Sequence, residues 1–213
     1  MKLRYVQVGK PQEVVWDGRP LYTAMEKYRV NGKVYLRKHQ LEGDKQADDV
    51  NHGGRDKAVC LYPVEHVPYW EEVLHRKLPE APFGENFTME GMLEEEVNIG
   101  AQYRVGEALI EITQPRMPCH KLASRYEAPS LVKQVMDTGY SGFYAKVLEE
   151  GAVEAGDAVT FVQSGEQGVT VAEVNRAKHD PDAEAALIAH VLSEKALAAV
   201  WRAPLEAKLE KRR

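Results

Sequence analysis

The densest chemistry in this 213-residue sequence lies at Gln114-Pro115-Arg116-Met117-Pro118-Cys119-His120-Lys121-Leu122, where one thiol sits among three potential cations. A cation beside a cysteine favours thiolate over thiol, so convergence of any two of Arg116, His120 and Lys121 would lower the Cys119 pKa from about 8.5. Pro115 and Pro118, on either side of Arg116-Met117, restrict φ and stiffen the loop, which holds the sulfur in a fixed direction. The residues alone equally allow a buried cysteine beside solvated charges, because cysteine is among the most buried residue types.

Two further stretches carry ligand-binding chemistry. In residues 44–59, Gly53-Gly54 lets the backbone approach a ligand closely, and the neighbouring His52, Arg55 and Lys57 suit a phosphate or another anion. A diglycine is also an ordinary tight connection. In residues 82–91, Asn86 and Thr88 offer hydrogen bonds to an amide-rich or hydroxylated ring system, or serve ordinary turns. Cys60 lies in the apolar run Ala58-Val59-Cys60-Leu61-Tyr62 and is assigned to the core. The seven histidines are dispersed without zinc-site spacing, and neither a P-loop, Gly-x-Gly-x-x-Gly nor Gly-x-Ser-x-Gly is present. Two separated cysteines cannot supply a four-cysteine iron–sulfur cluster, and no flavin or haem signature accompanies them.

The elements that must position these residues are mixed, α+β and mainly β. Short apolar stretches at 5–8, 13–16, 101–105, 108–113 and 158–163 read as strands, with a hairpin turn at Gly106-Glu107 and another at Asn31-Gly32. Residues 64–74, 129–136 and 141–149 read as helices, the last because Phe143, Val147 and Leu148 approximate one face. Residues 164–168 read as a linker. Beyond them the composition turns to Ala, Leu, Glu and Lys, and three short helices are expected. The second starts at Asp180-Pro181, and Pro204 bends or interrupts the third. The division is 1–165 for the main domain and 166–213 for the helical one, which is too small to be stable alone and must pack on the main domain or another subunit.

Composition narrows the function classes. Lys and Arg total 28 against 33 Asp and Glu, and the net charge of −5 weighs against charge-driven nucleic-acid binding. Three helices resemble DNA-binding modules, but their basic residues cluster only at Lys208 and Lys211-Arg212-Arg213, so no nucleic-acid partner is expected. No apolar run reaches membrane-spanning or signal-peptide length, which gives the expectation of a cytoplasmic chain with reduced cysteines and no membrane partner.

Taken in order, His52-Gly53-Gly54 with Lys57, Phe83-Gly84-Glu85-Asn86 with Thr88, and Pro115-Arg116 with Pro118-Cys119 and Lys121 resemble MOSC-domain proteins of the YiiM type. Asp44-Lys45-Gln46-Ala47-Asp48, Tyr62-Pro63, Gly142-Phe143-Tyr144 and Gly151 are similar to that family too, and the terminal helices to its appended three-helix domain. The resemblance implies a β-barrel core of the kind found at the C-terminus of molybdenum-cofactor sulfurases, binding a molybdenum-pyranopterin cofactor. Cys119 then matches the cysteine that ligates molybdenum. His52, Lys57, Arg116 and Lys121 would balance the anionic phosphate and dithiolene, and Gly53, Gly54, Asn86 and Thr88 would hold the pterin.

The reaction implied is reduction of N-hydroxylated compounds, such as N-hydroxylated purine-base analogues, to amines. A separate flavin or iron–sulfur protein would supply the electrons, docking near the terminal helices. The competing reading is a non-catalytic carrier of cofactor or sulfur with a persulfide on Cys119, any pyridoxal-phosphate-dependent step then belonging to a partner. A stable barrel that only binds anions is the third. A homodimer is left open.

Overall fold

The structure, a computed structural model, describes residues 1–48 and 53–212. Its strands are β1 (Lys2–Val8), β2 (Gln12–Trp16), β3 (Arg19–Thr23), β4 (Tyr28–Arg29), β5 (Val34–Leu36), β6 (Val59–Pro63), β7 (Phe87–Glu90), β8 (Gln102–Val105), β9 (Ala108–Pro115), β10 (Phe143–Glu149), β11 (Gly151–Val153) and β12 (Val159–Gln163). The helices are α1 (Val67–Leu74), α2 (His120–Tyr126), α3 (Leu131–Thr138), α4 (Val171–His179), α5 (Ala185–Ser193) and α6 (Ala199–Glu210). Eight strands make one mixed sheet in the order β12-β8-β9-β10-β6-β7-β1-β4, antiparallel except for the parallel pair β6–β7.

The α+β, mainly β class holds, but the expected barrel is not closed. The ladder ends at β12 and β4, and its nearest return is an isolated bridge between Lys2 and Ala158, supported by the Leu3 amide on Asp157 O at 3.0 Å. Two short pairs, β5–β11 and β2–β3, stand apart from the large sheet.

Three local expectations give way to tertiary pairing. Residues 143–149 form a strand because Phe143, Ala145 and Val147 all point to the core at a period of two, between β9 and β6. The turn at Asn31-Gly32 joins no hairpin, since β4 pairs with β1 and β5 with β11, although Gly32 does take a φ of +83°. The segment 164–168 is no free linker: a Cβ on Gly165 would lie 1.9 Å from Ile99 O, and Gln167 N donates to Glu194.

The terminal helices start and run differently from the pattern. Thr170 and Glu173 form a capping box at the head of α4, but α5 begins at Ala185 rather than at Asp180-Pro181. Helix α6 continues through Pro204. The three helices share one continuous core with the sheet, in which Val174, Ile188 and Trp201 join Ile110 and Ile112. Deleting everything after Gly165 would uncover that core, so removal of the helices cannot isolate a docking role for them.

A second, smaller apolar cluster carries the helices beside the site. Tyr62, Trp70, Phe83, Leu122, Tyr126, Leu131 and Val135 pack α1, α2 and α3 together. Tyr62 and Phe83 stack with centroids 4.2 Å apart, and Trp70 Nε1 donates to Tyr62 Oη at 2.7 Å. This pins Phe83 and α2 on the same side of β6.

Candidate active site

Strand alternation builds the floor of a cleft. On β6, Val59 and Leu61 enter the main core, so Cys60 between them faces the other way. Tyr144 on β10 stands directly opposite Cys60 in the ladder and shares that face. Chain leaving β9 turns through Arg116 and arrives at Cys119, the residue immediately before α2. Residues 23–25 at the end of β3, Lys27, the segment Asp44–Ala47, Lys57, Phe83-Gly84 and Asn86 complete the walls. The space between these walls is about 610 Å³, open solvent at the mouth included.

Of the residues singled out from sequence, Cys119, Arg116, Lys121, Lys57 and Asn86 line this cleft together. The Cys119 thiol is half-buried, as an accessible ligand or nucleophile must be. His120 is exposed and contributes nothing to the walls. The Lys121 ammonium donates to Tyr22 O at 2.9 Å, which ties α2 to the end of β3. Gly54 takes a φ of +102° with open space where a Cβ would stand; it turns the chain into the short 3-10 segment Arg55–Lys57. Gly53 and Gly54 are not among the walls. His52 lies outside the described residues.

Asn86 and Thr88 are occupied by the fold. Asn86 Oδ1 accepts from Cys60 N at 3.2 Å, while Nδ2 donates to Asp44 Oδ2 at 2.9 Å and to Gln7 O at 3.3 Å. Thr88, behind the wall, accepts from Gln7 Nε2 and donates to Glu85 Oε1 at 3.2 Å. With its donors and acceptor engaged, Asn86 is a staple between β1, β6 and the Asp44 segment.

The electrostatic centre is Arg116. Its side chain is buried facing Cys60, Tyr144, Cys119 and Glu85, and among the described residues its Nη1 has no hydrogen-bond acceptor. No carboxylate among the described residues forms an ion pair with it, and burial pushes Glu85, whose charge it feels, above the usual carboxylate range. A buried permanent cation with a free N–H on a cleft is a seat for an anion. Desolvation lowers the Lys57 pKa against the pull of Asp56 and Asp48, and burial drives the Tyr144 phenol well up, so it stays protonated at neutral pH.

Sequence reasoning missed Lys27, Asp44, Glu85 and Tyr144 as site residues, and missed that the buried Cys60 faces the cleft. Burial pushes the Cys60 thiol from an ordinary 9.0 up to about 12. The unfolded chain then releases this proton near pH 9 while the folded chain keeps it, so ionisation favours unfolding. The stability is complete below pH 9 and is lost as pH climbs towards 12, at up to about 1.4 kcal/mol per pH unit. Cys60→Ala is expected to flatten the decline of the urea midpoint between pH 9 and 10; a variant that keeps the wild-type slope would assign that decline to other groups.

A MOSC-domain profile matches residues 48–160, which include every wall from Lys57 to Tyr144, and a profile for the YiiM-like 3-alpha helix domain matches residues 169–212. The chain belongs to the MOSC family. It is 46% identical over 198 residues to the uncharacterized protein YflK of Bacillus subtilis strain 168, covering 93% of this chain and 90% of that one. The crystal structure of YiiM from Geobacillus stearothermophilus superposes with a TM-score of 0.82 at 35% identity over 98% of both chains. A protein named Reductase from Gibberella moniliformis is 31% identical over 169 residues, 76% of this chain and 29% of that protein.

MOSC domains are associated with the molybdenum cofactor, and the cleft's donor set fits such a group. Among the described residues it offers one accessible thiol, one buried guanidinium with no ion-pair partner, four lysines on the walls (Lys27, Lys45, Lys57 and Lys121), and the apolar Phe83 and Met25. Among the described residues no three His, Cys, Asp or Glu side chains gather as a metal cluster, and no helix is long and apolar enough to cross a membrane.

Proposed function

We propose that this MOSC cleft binds the molybdenum cofactor and reduces N-hydroxylated compounds, N-hydroxylated purine-base analogues among them, to amines. The observation that carries the reading is the convergence in one cleft of the half-buried Cys119 thiol and the buried Arg116 guanidinium with its unused Nη1. The bound cofactor supplies two-electron chemistry, in which the N–OH oxygen leaves as water after two electrons and two protons arrive.

The chain's own groups divide the remaining work. Cys119 ligates the metal through Sγ. Arg116, Lys57 and Lys121 oppose the cofactor's anionic groups, with His52, Gly53 and Gly54 assigned to the same ligand. Asn86 and Thr88 hold the wall that faces it rather than the pterin itself. Tyr144 keeps a proton on Oη inside the cleft, and Phe83 with Met25 excludes water from one side. Electrons come from a separate flavin or iron–sulfur protein. Similarity to a protein named Reductase supports the reaction class. Residues 1–165 would form the cofactor unit and 166–213 the helical one.

The test is the molybdenum and pterin content of wild-type protein purified from molybdenum-replete cells, read beside reduction of an N-hydroxylated purine with a chemical reductant and with a flavin donor. Near-stoichiometric molybdenum with turnover is expected. Cofactor that passes intact to an apo-enzyme without turnover would make the chain a carrier, and protein that holds neither metal nor pterin would leave only anion binding.

A further inference from the structure

The helix that carries the thiol also holds the walls opposite it. On α2, Arg125 is buried, with its side chain 4% exposed, and its Nη1 donates to carbonyls from two separate loops: Met25 O at 3.3 Å, Ala81 O at 2.9 Å and Pro82 O at 3.1 Å. Its Nη2 lies 3.7 Å from Glu26 Oε2, and its Cζ is 5.8 Å from the Trp16 ring on β2. Met25 is itself a cleft wall, and Ala81-Pro82 runs directly into the walls Phe83 and Gly84.

The three carbonyls do not depend on Arg125 equally. Ala81 O also accepts from Gly84 N at 2.8 Å, and Pro82 O also accepts from Tyr126 Oη at 2.7 Å. Among the described residues Met25 O has no donor but Arg125. Loss of the guanidinium therefore removes the tie between α2 and Met25 O, leaving the 24–26 wall to the Met25 N bond to Thr23 Oγ1 at 3.1 Å and to side-chain packing, while the 81–84 wall keeps its own hydrogen bonds. Ala81, held at a φ of +43°, and Gly84, where a Cβ would meet Met25 Cγ at 3.2 Å, show how closely the two walls abut.

We propose that Arg125 is the positioning residue that sets the width of the cleft at Cys119, by clamping the Met25 wall to the helix on which the thiol is mounted. This deepens the proposed function, because a ligating thiol needs a fixed wall opposite it. Its test reads the thiol in full-length protein made without molybdenum, where no metal protects Sγ, so its failure is distinguishable from failure of that reading.

The experiment compares alkylation of Cys119 by iodoacetamide with alkylation by a bulky aryl maleimide, followed by mass spectrometry of the peptide that carries it. Arg125→Met is expected to speed the bulky reagent about tenfold, the rise in open population that loss of one charged hydrogen bond brings, with little change for the small one. Arg125→Lys, which keeps a donor, should recover part of the wild-type ratio. Arg202→Met is the control: Arg202 donates to Leu192 O and Glu194 O in the terminal helices, so its loss lowers Tm without moving the ratio. A folded Arg125→Met protein with the wild-type bulky-to-small ratio, or an Arg202→Met protein with the same change, would overturn the proposal.

Discussion

Cys119→Ala is expected to leave the chain folded and to reduce its molybdenum content by about a hundredfold or more, since loss of an outer-shell partner alone costs about 10–100-fold in metal affinity and a direct ligand is worth at least that. Stability should change little, because the side chain is half-buried and does not cap α2 through a side-chain hydrogen bond. Reduction of an N-hydroxylated purine should fall with the metal. Cys119→Ser tests donor softness as opposed to mere shape: an alcohol is a harder and weaker donor than a thiolate, so it too should lose most of the metal. Cys60→Ala, which removes the other thiol of the cleft, should keep molybdenum. Metal content by mass spectrometry and Tm on the same samples decide the matter. A Cys119→Ala protein with wild-type molybdenum would move the ligand elsewhere in the cleft.

That only part of this cleft was legible from the chain has a physical reason. Cys119, Arg116 and Lys121 fall within six residues, so a local reading finds them. Lys57 follows a diglycine that announces a turn. Lys27, Cys60 and Tyr144 come from three distant segments whose convergence depends on strand order. Every residue of β6 is buried, so its two faces, core for Val59 and Leu61 and cleft for Cys60, leave no alternation of polar and apolar residues to read. On β10 the same period of two was obscured: Leu148 beside Val147 completes a helix-like face, and only pairing with β9 and β6 decides for strand. The Asn31-Gly32 turn shows the converse case, where strong local chemistry is used but the strands beside it find partners elsewhere.

The same distinction separates ligand-facing from fold-facing polar groups. Asn86 and Arg116 are both buried and polar on one cleft, but every side-chain donor and acceptor of Asn86 has a partner, whereas Arg116 retains an unused N–H. Burial and residue type are alike in the two cases. The hydrogen-bond accounting separates them: Asn86 is fully used by the architecture, and Arg116 has a donor to spare.

Asp44→Ala should be the most destabilising single change at the site, costing about 3–5 kcal/mol, because it leaves the buried Lys27 ammonium without its counter-ion. The side chains of Lys27 and Asp44 are 7% and 2% exposed, so water cannot replace the lost partner without opening the wall. Asp44 also accepts from Gly9 N at 2.8 Å and from Asn86 Nδ2 at 2.9 Å, so the loss reaches β7 and the chain after β1. For a chain of this length Tm should fall by about 10 °C or more. Asp44→Ala/Lys27→Met should be more stable than Asp44→Ala alone, since it removes the stranded charge, yet less stable than wild type, because the Gly9 and Asn86 donors remain unpaired at about 1–3 kcal/mol each. Urea unfolding of the four proteins measures the cycle. If the second substitution gave no recovery, Lys27 would not depend on Asp44, and the wall from Asp44 to Ala47 would owe its position to something other than this ion pair.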